Sequence, residues 1–164
     1  MTDQTNHAYT RRRVISGSAA GLCSLAVAGA QENKTIVAAR AIHQVEDFKA
    51  GPDRIYEALL DSKQFSAFSG GRAAEIHREV GGAFSLFSGH IIGRNLELVA
   101  NRRIVQAWRV VPWPEGIYSI ARFELSRQTS GARVILDHTG FPSELAEHLE
   151  SGWNENYWTA LRTL

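Results

Sequence analysis

Ser143-Glu-Leu-Ala-Glu-His-Leu-Glu-Ser-Gly-Trp-Asn-Glu-Asn-Tyr-Trp-Thr-Ala-Leu-Arg-Thr-Leu164 is the stretch on which the fold turns. Leu145, Leu149, Trp153, Tyr157, Leu161 and Leu164 follow one another at spacings of four and three, the repeat of a single helix face. Glu144, Glu147, Glu150 and Glu155 lie off that line, so the opposite face is solvated and the helix amphipathic. Pro142 ends the preceding strand and Ser143 is placed to cap the helix. The early glutamates suit its positive end and Arg162 its negative one. Gly152 costs about 1 kcal/mol against alanine inside a helix, which calls for close backbone approach to a sheet or a slight bend beside Trp153. Trp153, Tyr157 and Trp158 add large apolar area, two indole N–H donors and a phenol, suited to a packed core or to a cavity wall.

Most of the chain before this helix reads as strands able to wrap around it. Thr35 to Phe48 is rich in β-branched and small residues and reads as a long first strand. Gly51-Pro52-Asp53 opens a helix whose apolar face is Ile55, Tyr56, Leu59 and Leu60. Asp61 to Phe68 continues as a second short helix or turn, ending at Gly70-Gly71. Ala73 to Val80 alternates as a strand, and Gly81-Gly82 turns the chain into Ala83 to Phe87. His90 to Val99 is the next strand, where Gly93 suggests a bulge or bend. Arg102 to Val111, Ile117 to Leu125 and Ala132 to Thr139 complete the meander, with a loop at Pro112-Trp113-Pro114-Glu115-Gly116. One strand, two helices, a run of antiparallel strands and a terminal helix make an α+β domain.

Composition bounds the function. A chain of 164 residues has room for one domain with a substantial core. Its 18 basic and 17 acidic residues leave a net charge of +1, not the clustered basic excess of a nucleic-acid groove. No uninterrupted apolar run is long enough to span a bilayer as a mature segment. The single cysteine, Cys23, excludes an intramolecular disulfide.

The first thirty residues read as an address. Thr10-Arg11-Arg12-Arg13-Val14-Ile15 precedes a small, mildly apolar run, and Ala28-Gly29-Ala30 is a small-x-small cleavage pattern before Gln31. The pattern resembles a twin-arginine export signal, with Arg11 and Arg12 as its pair. Cys23 follows Leu22 rather than the small residue a lipoprotein site needs. The expectation is a signal peptide over residues 1–30, a short linker over 31–34 and a domain over 35–164. The mature chain is then slightly acidic, cysteine-free, and periplasmic or extracellular. The alternative is a basic tail on a cytoplasmic protein.

Several motifs recur together in one known family. Phe84-Ser-Leu-Phe-Ser-Gly89, Gly93-Arg-Asn-Leu-Glu-Leu-Val99 and Arg103-Ile-Val-Gln-Ala-Trp-Arg109 stand in order, followed by Trp113-Pro-Glu-Gly116, Tyr118-Ser119, Gly152-Trp153 and Tyr157-Trp158. Together they resemble the C-terminal-domain family of activators of the heat-shock-protein-90 ATPase, within the SRPBCC group of START-like and Bet-v-like proteins. The resemblance covers about residues 35–164. It implies a helix-grip fold, a curved antiparallel sheet wrapped around a long C-terminal helix with a cavity between them. It also implies apolar ligands such as lipids, sterols or polyketides, and in some members cyclisation or hydrolysis. Full chaperone activators carry a further N-terminal chaperone-binding domain. The signal-like stretch fills the space before Thr35, so a chain without that domain is expected.

Candidate chemical residues are few. Glu75, His77 and Glu79 share one strand face, either as a solvated surface opposite Ile76 and Val80 or as metal or proton ligands. Val134, Leu136 and His138 share another face, which puts His138 inward as a bonded core residue or as an acid or base. Arg94 has the parity of Ile92, Leu96 and Leu98, and either meets a ligand carboxylate or snorkels at the strand end. No zinc-site histidine spacing, phosphate loop or nucleophile elbow is present. No catalytic, metal or cofactor residue is therefore assigned. Trp108, Phe123, His138, Trp153 and Tyr157 are the candidate ligand-binding residues, as cavity walls or as plain packing. Three functions follow: a non-enzymatic carrier of an apolar small molecule, a protein-interaction module, or a cyclase- or hydrolase-like enzyme using His138.

Overall fold

In the computed structural model, which describes residues 40–164, the chain enters through β1 (Ala41–Phe48). Two helices follow, α1 (Pro52–Leu60) and α2 (Ser62–Phe68). Pro52 starts α1 as expected, and the Asp61 side chain caps α2 by accepting from the Gln64 N–H at 2.9 Å. Then come β2 (Glu75–Ile76), β3 (Ala83–Leu86), β4 (Ile91–Val99), β5 (Arg103–Val110), β6 (Ser119–Gln128) and β7 (Gly131–Thr139). They form one seven-stranded sheet in the order β1-β7-β6-β5-β4-β3-β2, with every neighbouring pair antiparallel. The start of the expected first strand, the linker and the export signal lie outside the described residues.

The terminal segment is helical but not one regular helix. A 3-10 turn (Ser143–Leu145) leads into α3 (Ala146–Trp153), a π turn (Asn154–Trp158) and α4 (Thr159–Leu161). Ser143 lies in the 3-10 turn, and no side chain caps the start of α3. The π turn holds one residue more than an α turn. Tyr157 and Trp158 therefore both face inward, along with Leu149, Trp153 and Leu161. Leu164, expected on the same face, is exposed past the helix end.

The inner sheet face packs on this segment. Ile104, Gln106 and Trp108 of β5, Ala121, Phe123 and Leu125 of β6, and Val134, Leu136 and His138 of β7 are all buried, so the alternation read from these three strands holds. β1 adds polar grips between its buried Ile42 and Phe48. Trp158 Nε1–H donates to Gln44 Oε1 at 2.6 Å, Gln44 Nε2–H donates to the Glu150 carbonyl at 3.3 Å, and Arg162 pairs with Glu46.

Three strand expectations need correction. The strand over Ala73 to Val80 shrinks to β2, and Val80 is exposed rather than inward. The bulge in β4 lies between Asn95 and Glu97, not at Gly93. Its extra residue shifts the parity, so Ile91, Gly93 and Asn95 face inward. Arg94 then points outward, where its Nη1–H donates to the Gly81 carbonyl at 2.8 Å. Gly93 has a different reason to be glycine: a β-carbon there would meet the Ala107 carbonyl oxygen at 2.1 Å and the Phe84 ring at 2.3 Å.

Candidate ligand cavity between sheet and terminal helix

A cavity of about 350 Å³ lies between the β4–β5 side of the sheet and α3 with its π turn. Its walls include Phe87, Ile91 and Trp108 from the sheet side and Leu149, Trp153 and Tyr157 from the helix. Arg72, His90 and His148, all exposed, stand where it meets solvent. Phe87 reaches the wall through a local kink. It and Ser88 adopt left-handed backbone angles, with φ of 54° and 57°, an uncommon conformation outside glycine.

Of the five candidate residues, Trp108, Trp153 and Tyr157 line the cavity, while Phe123 and His138 stand behind it. The Phe123 ring packs edge-on against Trp153, centroids 5.6 Å apart, and against Trp158 at 6.4 Å. It supports the wall without forming it. His138 is fully buried between Trp108, Phe141 and Trp153.

The hydrogen bonds of His138 fix its chemistry. Trp153 Nε1–H donates to His138 Nδ1 at 3.0 Å. An indole nitrogen only donates, so Nδ1 carries a lone pair and the proton sits on Nε2. That proton meets Ser119 Oγ at 2.7 Å, and the Ser119 hydroxyl donates onward to the Trp108 carbonyl at 2.8 Å. Both nitrogens are satisfied by a neutral ring, and burial lowers the imidazole pKa to about 3. A serine–histidine pair poised for catalysis needs the reverse tautomer, with Nε2 free to take the serine proton. The fixed tautomer prevents His138 from acting as that base, and its role is to hold Ser119 and Trp153.

Tyr157 and Trp108 carry polar atoms on the wall, beside Asn156. Burial raises the Tyr157 phenol pKa, and the nearby Trp108 indole offsets only part of that shift, so the phenol stays protonated. The Trp108 N–H is buried and meets no acceptor at hydrogen-bonding geometry. The Tyr157 phenol oxygen stands beside it.

Gly152 also lines the cavity, and a β-carbon added there would meet nothing within 4 Å. The expected close approach to the sheet is absent, and the missing side chain instead keeps the cavity open. The buried Asn95–Gln106 pair went unnoticed in the sequence. Gln106 Nε2–H donates to Asn95 Oδ1, and Asn95 Nδ2–H to the His77 carbonyl, both at 3.0 Å. Among the described residues no group of three His, Cys, Asp or Glu side chains is placed to hold a metal ion. Glu75, His77 and Glu79 are exposed.

A curved antiparallel sheet closed by a terminal helix, with an aromatic-walled cavity between them, defines a helix-grip domain. A model of the Activator of Hsp90 ATPase homolog 1-like protein family matches residues 49–164, and the chain belongs to that family. The activator of 90 kDa heat shock protein ATPase homolog 2 of Mus musculus is 28% identical over 124 residues, covering 76% of this chain and 37% of that protein. The Dictyostelium discoideum homolog is 31% identical over 112 residues, covering 68% and 29%. The chain thus spans about a third of the length of the curated relatives it matches. Among solved structures, an HSP90 activator from Plasmodium falciparum superposes with a TM-score of 0.71 at 27% identity, over 75% of this chain and 94% of that one. CalU16 from Micromonospora echinospora shares the fold, with a TM-score of 0.62 at 23% identity, over 75% and 72%.

Proposed function

We propose that this protein is an exported, non-enzymatic carrier that holds an apolar small molecule, lipid-like or aromatic, between its sheet and terminal helix. The observation that carries this reading is the cavity, walled by Phe87, Trp108, Trp153 and Tyr157 and left open at Gly152. Pockets of this size with apolar walls and a few polar groups are typical of small-molecule sites. The carrier needs no cofactor or metal.

Gly152 supplies the test. Gly152→Ala should raise stability by about 1 kcal/mol, since alanine is the better helix former and has room. Gly152→Leu should fill the cavity and abolish binding while the domain still folds. Apolar ligands retained by the purified wild type, detected by native mass spectrometry, should be missing from the leucine variant. Equal retention in both would place the ligand elsewhere, and a wild type that retains nothing and binds no apolar probe would end the carrier reading.

Export rests on the arginine pattern at Arg11 and Arg12. Changing Arg11, Arg12 and Arg13 to lysine keeps the charge and removes the guanidinium groups that a receptor-read signal requires. An uncleaved precursor in the cytoplasm is the expected result. Mature periplasmic protein at normal levels, starting elsewhere than near Gln31, would overturn it.

A second reading, a chaperone-interaction module, draws on the activators among the relatives and on exposed Val111, Ile117, Tyr118 and Ile120 around the β5–β6 connection. Binding of a heat-shock-protein-90 chaperone that survives Gly152→Leu and is lost on replacing Tyr118 and Ile120 would favour it.

A further inference from the structure

The loop between α2 and β2 places a single arginine at the cavity mouth. Arg72 Nε–H donates to the Ser69 carbonyl at 2.8 Å, and Nη2–H donates to Asn156 Oδ1 at 3.1 Å. The guanidinium carbon lies 4.3 Å from the centroid of the Phe87 ring. Three contacts from three segments therefore fix the head group, which a surface arginine ordinarily leaves free to wander. None of them comes from a carboxylate. Arg78, Arg103, Arg122, Arg127, Arg133 and Arg162 each pair with an aspartate or glutamate. Among the described residues Arg72 forms no ion pair, and no acidic side chain lines the cavity.

A guanidinium carries five N–H donors. Two are engaged, which leaves both donors of Nη1 and one of Nη2 without a protein partner among the described residues, for a carboxylate to use. His90 and His148, the other ionisable groups at the mouth, are neutral or positive and never negative. Among the described residues no acidic side chain thus lines the opening. The walls behind it are apolar.

We propose that the ligand is an amphipathic carboxylate, an apolar body in the cavity with its single acidic group on Arg72. The inference deepens the carrier reading and rests on it. A neutral lipid fills the same walls and leaves the fixed cation unpaired. An acid satisfies both ends and enters in one orientation, body first.

Isothermal titration of the full chain with two matched pairs tests this: naphthoic acid against methyl naphthoate, and decanoic acid against methyl decanoate. Each acid should bind wild type about tenfold or more tighter than its ester, the usual scale of a charge-assisted hydrogen-bond pair. Arg72→Gln should erase that preference, read as the ratio of acid to ester affinity within each protein. Arg72→Lys, which keeps the charge and loses the planar edge, should fall between the two. Thermal melts verify that both variants fold, and the ester serves as an internal measure of an intact cavity.

If acid and ester bind wild type equally, or if Arg72→Gln keeps the preference, the carboxylate inference fails and the carrier stands. If neither member of either pair binds wild type, the carrier reading fails and the inference falls with it.

Discussion

Replacing Trp153 with alanine is expected to remove about 3–5 kcal/mol of stability, the usual cost of deleting a large buried aromatic. A domain of this size has only about 5–15 kcal/mol in total. The indole sits at the centre of the aromatic cluster, with centroids 5.5 Å from Trp108, 5.6 Å from Phe123 and 4.4 Å from Tyr157. It also supplies the only donor to His138 Nδ1 among the described residues. Trp153→Phe separates the two roles. It keeps much of the packing, removes the N–H and strands a buried acceptor, for about 1–3 kcal/mol. Urea unfolding of the three proteins measures both costs. An alanine variant within about 1 kcal/mol of wild type would mean that the terminal helix is peripheral, well outside the range for buried aromatics.

The second large effect is in acid. Burial lowers the His138 pKa from 6.5 to about 3 in the folded protein. Below 6.5 the unfolded chain takes up a proton that the folded one refuses. The unfolded state then binds more protons, so stability falls as pH falls. The contribution is fully present above 6.5 and is lost towards about pH 3, at up to about 1.4 kcal/mol per pH unit. Arginine hydrogen bonds and charges hold the Asp47, Glu57 and Glu124 carboxyls below their usual values, and their loss adds to the fall at lower pH. The window between about pH 5 and 6.5 lies above the ordinary carboxylate range, and there the difference between wild type and a variant without this ring isolates His138 from the other histidines, such as His43 beside Asp137. His138→Gln can still donate to Ser119 and accept from Trp153, but it does not titrate. Its stability should fall less across that window than that of wild type. Equal slopes in the two proteins would show that His138 takes up its proton in the folded state.

Much of this architecture was legible before any coordinates. The spacing of Leu149, Trp153, Tyr157 and Leu161 marks the buried helix face, and alternation marks the inner faces of β5, β6 and β7. Such periodicities are written into the chain by burial itself. They fail where one residue is added. The extra residue of β4 sends Arg94 outward, and the extra residue of the π turn brings Trp158 inward beside Tyr157. Neither insertion has a composition of its own.

The polar middle of the β1 inner face was also hidden, because nothing in the sequence places Trp158 and Arg162 beside Gln44 and Glu46. At the site, the aromatic residues could be named but not sorted. Whether a ring lines a void or fills one depends on what stands opposite, and for Trp153 and Tyr157 that is partly Phe87. Arg72, in a loop without periodicity, carried no signal at all.

The π turn divides the terminal helix into two halves with different phase. Ahead of it, Leu149, Gly152 and Trp153 face the cavity. Beyond it, Trp158 packs on Phe48 and Arg162 pairs with Glu46 of the edge strand β1, while Leu161 is buried. The two halves stay joined through Trp153, whose ring stacks on Trp158 with centroids 6.1 Å apart, and through Gln44, which bonds both Trp158 and the Glu150 carbonyl. One terminal segment thus has two jobs, walling a cavity ahead of the π turn and fastening the edge strand beyond it.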